Sequence, residues 1–570
     1  MPVLKFKGKS TVYSHHLGVP FRSLEIDEKK SLSKGSKNRK KDNSSLNDNL
    51  IIHGDNLHAL KALLPRYTGK VKCIYIDPPY NTGNEGWKYN DNVNSPAIQK
   101  WLKQNGIGTD DLERHDKWLC MMWPRLQLLK ELLSDDGVIF ISIDDNECYN
   151  LKKICDEIFG IESFINCLTI LCNPKGRSQD KYFATNHEYV LVFSKNPLHK
   201  GYFSIEKSKS QISSEYLEID EHGAFRLLEL RNTHREFGKH NRKNLYYPLY
   251  ASLEGTVDIK PDAQHINKIL PLWDDGFEGC WTWEKGKVKK DKTLLFAKKT
   301  NGKWKVYRKN YANGAKKMLK TILQDNLFYT EKGQKVFNEL FQTKDKIFQS
   351  PKSPYLIKEL IKTCATKNSI ILDSFAGSGT TAQAVLDLNK EDGGHRKFIL
   401  VECEDYADKI TAERVRRVIK GVPKVKDEKL KKGLGGSFTY CTLGKEINEE
   451  NLIKGKSLPS YKVLSSYVYY IATGQTLNKV HENEDFYIGK SAKNTAFFIV
   501  YKPNIKFLRS RASALNLDRK EEIQKIMKVE DCKKAVVFAP VHYFDSAEEL
   551  AKEGIIFCQL PFSIYKIAGV

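Results

Sequence analysis

The sequence lacks the closely spaced cysteines that zinc sites use. Its 570 residues include 12 cysteines, yet no two of them form a C-x-x-C pair. Because structural zinc is held by ligands at short, regular spacing, we predict no metal site. Scattered thiols are typical of a reducing compartment, where cysteine packs as a small apolar residue. We therefore expect a cytoplasmic protein.

Long apolar runs are also missing. No stretch approaches the roughly 18 apolar residues of a membrane-spanning helix, and no signal-peptide pattern opens the chain. The sequence has no G-x-x-x-x-G-K-[ST] loop, so we do not expect it to drive ATP-dependent translocation. It also has no P-D followed by a spaced E-x-K, the pattern of a nuclease. Membrane, motor and nuclease functions are therefore not expected of this chain.

Acidic residues are too few to balance the basic ones. Lys and Arg number 93 against 70 Asp and Glu, which gives a formal net charge of +23. The 40% of hydrophobic residues is enough for a folded core. A large positive charge indicates a polyanionic partner, of which nucleic acid is the first choice. A basic protein without such a partner is the alternative.

The chain divides into two α/β blocks around a basic insert. Strand-like runs alternate with helical runs over 49–195, with the strands LIIH, KCIYI, GVIFISIDD and HEYVLVFSK, and again over 346–436. This alternation is typical of a parallel sheet, whose ligands bind beyond the carboxyl ends of the strands. The loops of Asp55, Asp77 and Asp144 should then share one edge.

Three further regions complete the domain prediction. Residues 196–345 interleave basic and aromatic side chains, as in RNTHREFGKHNRKNLYYPLY. Residues 1–48 form an N-terminal arm with a basic, solvated linker at 29–41. The segment 437–570, which follows a linker-like stretch, carries its own strands TAFFIVYK, KAVVFAP and GIIFCQLP. It is expected to be a small C-terminal α/β domain.

The stretch ILDSFAGSGTTAQAV predicts a strand, a glycine turn and a helix. Gly377 and Gly379 would allow a ligand to approach the backbone closely. A lone G-x-G is weak evidence for a nucleotide-like ligand. About twenty residues later, however, FILVECED ends a strand on Glu402, where a carboxylate can accept hydrogen bonds from a ribose. A carboxylate at a helix N-terminus would also suit Glu402. The pair of features favours an adenosine-containing ligand.

A second motif, IYIDPPYNTG, halts a buried strand on a carboxylate, two prolines and a ring. An aromatic amine is a poor nucleophile because its lone pair is delocalised. Asp77 and the carbonyl of Pro78 supply two acceptors for its N–H groups, and Pro79 holds that carbonyl rigid. Tyr80 offers a face on which a flipped base can stack. A simple strand-ending turn is the alternative for this motif taken alone.

The motifs DPPYNTG and FAGSGTT, in this order, resemble those of beta-class amino-group DNA methyltransferases that use S-adenosylmethionine. The stretch from DPPY through WLCMMWPRLQLLKELLSDDGVIFISIDDNE resembles the modification subunit of type III restriction–modification systems. The resemblance covers most of 50–195 and 345–440. It implies an α/β, Rossmann-like methyltransferase sheet in circular arrangement, with an inserted target-recognition domain and a small C-terminal α/β domain.

The resemblance also assigns residues. The catalytic motif is Asp77, Pro78, Pro79 and Tyr80. The residues implied to bind the cofactor are Asp55, Ser350, Lys352, Asp373, Phe375, Gly377, Gly379, Thr380, Thr381 and Glu402. Within this set, Ser350 and Lys352 would meet the methionine carboxylate, although Lys352 could be an ordinary exposed base. His187 and Glu188 resemble the strand beside the target-base pocket, with a core histidine as the alternative.

The insert resembles a target-recognition domain, in which basic side chains meet phosphates and aromatic ones stack. Its densest part holds Arg231, Arg235, Arg242 and Tyr246, our predicted DNA-binding residues. A solvated positive face is the alternative for most of them.

The resemblance implies N6-adenine methylation of duplex DNA after base flipping. N4-cytosine methylation remains open, since the motif serves both amines. An RNA methyltransferase is disfavoured because such enzymes more often begin the motif with Asn. A non-catalytic specificity subunit is disfavoured by the intact motifs. The expected partners are double-stranded DNA, a second copy of the chain and a separate helicase–nuclease subunit.

Overall fold

The computed structural model describes residues 3–33, 44–82, 113–176, 180–207, 209–447, 449–455, 458–477 and 485–560. Part of the basic linker expected at 29–41 lies outside them. The chain forms two compact units, one made of 1–202 with 320–570 and the other of 203–319. In the described part of the chain, no helix is long and apolar enough to cross a membrane.

The larger unit is built on a 10-stranded mixed sheet. Its strands are, in chain order, β1 (Arg22–Ile26), β2 (Leu50–His53), β3 (Val71–Ile76), β4 (Leu133–Ile143), β5 (Phe164–Leu171), β6 (His187–Ser194), β7 (Ile322–Leu323), β8 (Ile370–Asp373), β9 (Lys397–Glu402) and β10 (Thr439–Glu446). Their order across the sheet is β1-β10-β2-β9-β8-β3-β4-β6-β5-β7.

The centre of this sheet is parallel, running β10-β2-β9-β8-β3-β4. Strands β8 and β9 come from the second α/β block, yet they lie between β2 and β3 of the first. The two blocks therefore form one sheet, as the circular arrangement predicts. Because parallel strands end at the same edge, the residues that follow β2, β9, β8 and β3 are neighbours there.

One predicted strand runs in the other direction. The sequence placed β6 in a parallel sheet, but it pairs antiparallel with β4, with Ile143 opposite Tyr189. The reason is its hairpin with β5, in which Leu171 faces His187. This reversal has a useful consequence, because it puts the first residues of β6 at the edge where β3 and β4 end.

Helices of the larger unit cover the sheet, and local signals set their ends. Asp55 accepts a hydrogen bond from the Leu57 amide and caps its helix. Ser353 caps another, which has proline at its first position. The longer helices of this region are Asn56–Tyr67, Arg114–Leu132, Cys148–Phe159, Thr330–Phe341, Pro354–Cys364, Thr380–Asp392 and Glu413–Lys420, with short helices at Lys9–Val12, His15–Gly18 and Glu428–Lys432.

The ends of the chain differ from the domain prediction. The predicted arm contains β1, and the predicted C-terminal domain contains β10, which pairs with both β1 and β2. Both strands thus extend the main sheet, because the parallel edge of β2 is open to a further strand. The sequence offered only short apolar runs here, so this pairing between distant segments was not visible in it.

The rest of the C-terminal region forms a second, 4-stranded sheet, and the three strands predicted there are present. Its strands are Tyr487–Lys490, Thr495–Ile499, Lys534–Ala539 and Ile555–Gln559. Its helices are Glu449–Lys454, Tyr461–Thr473, Ile505–Leu508, Leu517–Val529 and Ala547–Lys552. Buried side chains of this sheet, such as Phe497 and Val536, belong to the same apolar core as those of the main sheet.

The unit 203–319 is narrower than the predicted insert of 196–345, since 320–345 belong to the larger unit. Its core contains the fully buried Trp281 and Tyr247, whose carbonyl accepts a hydrogen bond from the Trp281 indole at 2.8 Å. The strands are Ser204–Glu206, Glu218–Asp220, Gly223–Glu229, Leu249–Ala251, Val257–Asp258, Asn267–Ile269, Leu295–Thr300, Lys303–Tyr311 and Lys316–Met318, with helices at Lys209–Glu215 and Lys285–Lys290.

Candidate active site

The double-proline turn and the glycine turn open into one cleft of the larger unit. Asp77 and Tyr75 line it from the side of β3, and Phe375, Gly377 and Thr381 line it from the side of β8. A third wall comes from the segment Phe348–Lys352, which precedes the helix Pro354–Cys364. The two motifs predicted from the sequence are thus brought together, although 293 residues separate Tyr80 from Asp373 in numbering (373 − 80).

Hydrogen bonds to buried side chains fix the conformation of the double-proline turn. Pro78 is buried, and the carbonyl of Pro79 accepts a hydrogen bond from the indole of the fully buried Trp118 at 2.7 Å. Asn81 adopts a positive φ of 59°, a conformation that Asn tolerates better than most residues. Its side chain donates to Glu147 at 2.5 Å. The turn is therefore fixed before any ligand arrives, as a preorganised site requires.

Asp77 is partly buried and faces the cleft. Burial raises the pKa of its carboxyl group, and the Lys352 ammonium, whose Nζ lies 3.4 Å from Oδ1, opposes that rise. Among the described residues, Oδ1 is buried and has no hydrogen-bond partner of ordinary geometry. An ionised carboxylate only accepts hydrogen bonds, so Asp77 can act as an acceptor on this wall of the cleft.

Lys352 contacts the side of the cleft formed by the double-proline turn, which the sequence did not predict. Its Nζ is 2.6 Å from Oε2 of Glu188 and 2.5 Å from the Tyr80 hydroxyl. Tyr80 also donates to Glu188 at 3.1 Å. The expected partner of Lys352 was the methionine carboxylate. No spacing rule could reveal the observed one, because the contact joins three distant segments of the chain.

Asp373 braces the glycine turn from within. Its carboxylate accepts hydrogen bonds from the Phe375 amide at 3.1 Å and from the Thr381 hydroxyl at 2.5 Å. Burial raises its pKa to about 7. Gly377 and Gly379 have φ of 51° and 79°, and a Cβ on Gly379 would lie 3.0 Å from the Thr411 carbonyl. Glycine is required there by both conformation and space.

Glu402 ends β9 beside this turn. Its carboxylate accepts hydrogen bonds from the Gly377 amide at 2.7 Å and from the Glu404 amide at 3.0 Å. Burial raises its pKa to about 7. Each carboxylate oxygen has further lone pairs, so these bonds orient the group without using up its capacity to accept from a ribose.

Arg414 is a support that the sequence did not reveal. It is fully buried, and its guanidinium donates to Ser378 at 2.7 Å and to Thr380 at 2.6 Å. Burial lowers its pKa to about 9. The hydroxyl of Thr380, predicted to face the cofactor, is thereby engaged with Arg414. The pattern TAERVRRVI predicts only an amphipathic helix, and so gives no sign of which arginine is buried.

Asp55 and Ser350 complete the predicted cofactor set. Asp55 follows β2, whose last residue His53 pairs with Glu402, and its Oδ2 lies 3.3 Å from the buried guanidinium of Arg125. It does not line the cleft described above. Ser350 is exposed at the cleft wall and has a positive φ of 48°.

The predicted DNA-binding residues lie in the unit 203–319 and differ in exposure. Arg231 is buried, with its guanidinium on Glu229 at 2.8 Å and on the Leu272 carbonyl at 3.2 Å. Arg235 and Arg242 are exposed. The remaining one, Tyr246, is half-buried and donates to Glu278 at 2.8 Å. The guanidinium of Arg231 therefore serves the unit itself.

A match to a family model agrees with this geometry. The family described as DNA methylase matches residues 71–413, which span both turns. The chain belongs to this family of DNA methyltransferases, and its cofactor is S-adenosylmethionine. The residues present fit that group, since the backbone of Gly377 lines the cleft and the carboxylate of Glu402 is oriented beside the same turn by the Gly377 amide. Among the described residues, no cluster of side chains is suited to hold a metal ion.

Three curated proteins illustrate the relationship. The EcoPI Mod subunit of a type III restriction–modification enzyme, from Escherichia phage P1, is 33% identical over 78% of this chain and 72% of its own. The type II methyltransferase M.KpnI of Klebsiella pneumoniae is 34% identical over 62% of this chain and 80% of its own. The StyLTI Mod subunit of Salmonella typhimurium is 33% identical over 65% of this chain and 57% of its own.

Cofactor affinity should depend on pH through Glu402. The carboxylate accepts from a ribose best when ionised, and its pKa is about 7. We expect S-adenosylmethionine to bind about tenfold more weakly at pH 6 than at pH 8, by isothermal titration calorimetry. Glu402→Gln should bind more weakly and without this slope.

Asp373→Asn is the matched control, because Asp373 titrates in the same range but is bonded within the turn. It should keep the pH dependence. A wild-type affinity that stays flat between pH 6 and 8 would contradict the role given to Glu402.

Proposed function

We propose that this chain transfers a methyl group from S-adenosylmethionine to N6 of adenine in duplex DNA, after the base has been extruded from the helix. The observation that carries the proposal is that Asp77 and the glycine turn line one cleft. Bound there, S-adenosylmethionine supplies an electrophilic methyl group on sulfonium. The protein has to bring an amine to it.

The chain's own residues supply the positioning. Asp77 and the carbonyl of Pro78 accept the two N–H groups of the target amine, and the ring of Tyr80 stacks on the base. With both hydrogens held, the nitrogen lone pair points at the methyl carbon and is less delocalised into the ring. The turn is fixed by Trp118 and Asn81, so little reorganisation is needed during reaction.

We further propose that the chain is the modification subunit of a type III-like restriction–modification system. The relationship to the EcoPI and StyLTI Mod subunits supports this assignment. In the proposed assembly two copies bind DNA, one reading the site and the other methylating it. Cleavage would belong to a separate helicase–nuclease subunit. The working compartment would be the cytoplasm, where unpaired thiols persist.

The unit 203–319 is our proposed target reader. Arg235 is 56% exposed and lies over the rings of Trp273 and Phe277, at 4.6 and 5.7 Å from guanidinium to ring centre. Stacking on these rings restricts the conformations of the planar guanidinium and so preorganises it for hydrogen bonds to DNA. Arg242 is exposed over Phe237 at 5.3 Å. Both can reach a duplex without loss of a core contact.

Asp77→Ala should abolish methyl transfer while cofactor and DNA binding persist. Loss of a preorganised polar group in an active site typically costs about 100- to 1000-fold in kcat. The assay uses tritiated S-adenosylmethionine and unmethylated duplex DNA, followed by mass analysis of the nucleosides. We expect N6-methyladenine as the product.

Asp77→Asn is the matched variant, since it keeps the shape and one acceptor oxygen but loses the charge. It should be slower than the wild type and should retain more activity than Asp77→Ala. Normal methylation by Asp77→Ala would refute the mechanism. N4-methylcytosine as the wild-type product would instead establish the alternative substrate.

Arg242 and Arg231 form a pair with opposite expected effects. Arg242→Ala should weaken duplex binding about tenfold and leave the thermal midpoint unchanged, because the side chain is exposed. Arg231→Ala should cost about 2 kcal/mol of folding stability, because it leaves Glu229 and the Leu272 carbonyl without this donor. Fluorescence anisotropy and calorimetry measure the two effects.

The prediction is contradicted if both variants lower stability alike, or if Arg242→Ala binds duplex DNA as tightly as the wild type.

Single-stranded RNA of the same sequence serves as the competing ligand. Preference for it over duplex DNA would favour an RNA substrate.

A further inference from the structure

The carboxylates of Asp77 and Glu188 share a single ammonium group, that of Lys352. Asp77 follows β3, Glu188 lies at the start of β6, and Lys352 precedes the helix Pro354–Cys364. The antiparallel course of β6 is what brings Glu188 to this edge. The lysine Nζ lies 2.6 Å from Glu188 and 3.4 Å from Asp77.

The geometry of these contacts is uneven. Lys352 hydrogen-bonds to Glu188 and to the Tyr80 hydroxyl, while its distance to Asp77 is that of an ion pair without a well-formed hydrogen bond. The same Nζ lies 4.9 Å from the centre of the Tyr80 ring. Glu188 thus anchors the ammonium, and Asp77 lies 3.4 Å from that positive charge without a well-formed hydrogen bond to it.

Charges from several elements meet at this point. Burial raises the pKa of Asp77, Glu188 adds to the rise, and Lys352 opposes it. Although burial also opposes the charge of the lysine, the two carboxylates raise the pKa of Lys352, so its ammonium persists at neutral pH. The groups that interact with Asp77 or Lys352 here are Tyr75, Tyr80, Cys172, Glu188 and Asp373.

We infer that Lys352 is a positioning residue of the methyl transfer: anchored by Glu188, its ammonium keeps Asp77 ionised and fixes the Tyr80 hydroxyl. The inference rests on the proposed function and deepens it. An ionised Asp77 only accepts hydrogen bonds, whereas a protonated one carries a proton that would face the target amine. Lys352 therefore sets the pH range over which ionised Asp77 can accept a hydrogen bond from the target amine.

This assignment differs from the one expected from the sequence, in which Lys352 meets the methionine carboxylate. The two roles predict different measurements. A lysine that binds the cofactor controls its affinity. A lysine that acts on Asp77 controls the acidic limb of the rate profile and leaves cofactor affinity nearly unchanged.

The first experiment measures kcat/KM for DNA from pH 5 to 9. Lys352→Met should be about 100-fold slower at neutral pH, because Asp77 and Tyr80 lose their common support. Its acidic limb should move up by about one pH unit or more, because an opposite charge has been removed from Asp77. Lys352→Arg, which keeps the charge, should leave the limb near its wild-type position.

Glu188→Gln should shift the acidic limb of the kcat/KM profile in the opposite direction. Removing a negative charge near Asp77 should move the acidic limb down, since Glu188 raises the pKa of Asp77. Opposite shifts from the two partners of one ion pair are not expected from a general loss of structure. The matched control is Lys358→Met, because Lys358 is equally shielded and ion-paired, with Asp387 at 2.5 Å and Glu391 at 2.8 Å, but does not line the cleft.

The second experiment measures S-adenosylmethionine affinity by calorimetry. Lys352→Met should bind it within about threefold of the wild type. A loss of tenfold or more with an unmoved limb would place the lysine on the cofactor and overturn the inference. So would a Lys352→Met rate profile that superimposes on the wild-type profile.

A third measurement needs no cofactor or activity. Without Lys352 the carboxylates of Asp77 and Glu188 repel each other when ionised, so Lys352→Met should lose more thermal stability at pH 8 than at pH 5. The difference should shrink in Lys352→Met/Asp77→Asn. An equal loss at both pH values would overturn the inference. If the wild type transfers no methyl group to DNA at all, the proposed function fails instead.

Discussion

The parallel alignment of β2, β9, β8 and β3 is the constraint on which the site depends. Parallel strands end at one edge, so Glu402, Asp373 and Asp77 become neighbours although they come from separate parts of the chain. The pairing of Ile371 with Cys73 and of Leu372 with Ile74 sets the height of the glycine turn relative to the double-proline turn. A strand slipped by two residues would move one turn by about 7 Å.

The same alignment creates an electrostatic problem. Carboxylates gathered at a partly buried edge repel one another, and burial raises the pKa values of Asp77, Asp373 and Glu402. Two kinds of contact offset the cost of ionising these carboxylates. Asp373 and Glu402 accept backbone amides, which lower the cost of ionisation. Asp77 instead has the Lys352 ammonium 3.4 Å from Oδ1, and that charge opposes the rise in its pKa.

The sequence was sufficient for the motifs and for most strands of the main sheet, because both are local patterns. DPPY and FAGSG specify turns whose residue types are nearly dictated by backbone geometry. The sequence was insufficient to predict features that depend on contacts between distant segments. These are the direction of β6, the place of β10 in the main sheet, and the partner of Lys352. Burial of Arg231 and Arg414 was equally hidden, since exposed and buried arginines look alike in a helix or strand pattern.

The proposed division of function between the two units is consistent with these constraints. The cleft depends on strand register, caps and braced turns, so its residues have little freedom to vary. The unit 203–319 has its own core around Trp281 and Tyr247 and carries exposed arginines outside that core. Because exposed side chains can change at little cost in stability, a surface proposed to read DNA can change there without disturbing that core. If this unit is the target reader, as we propose, its separate core allows specificity to change while the reaction is preserved.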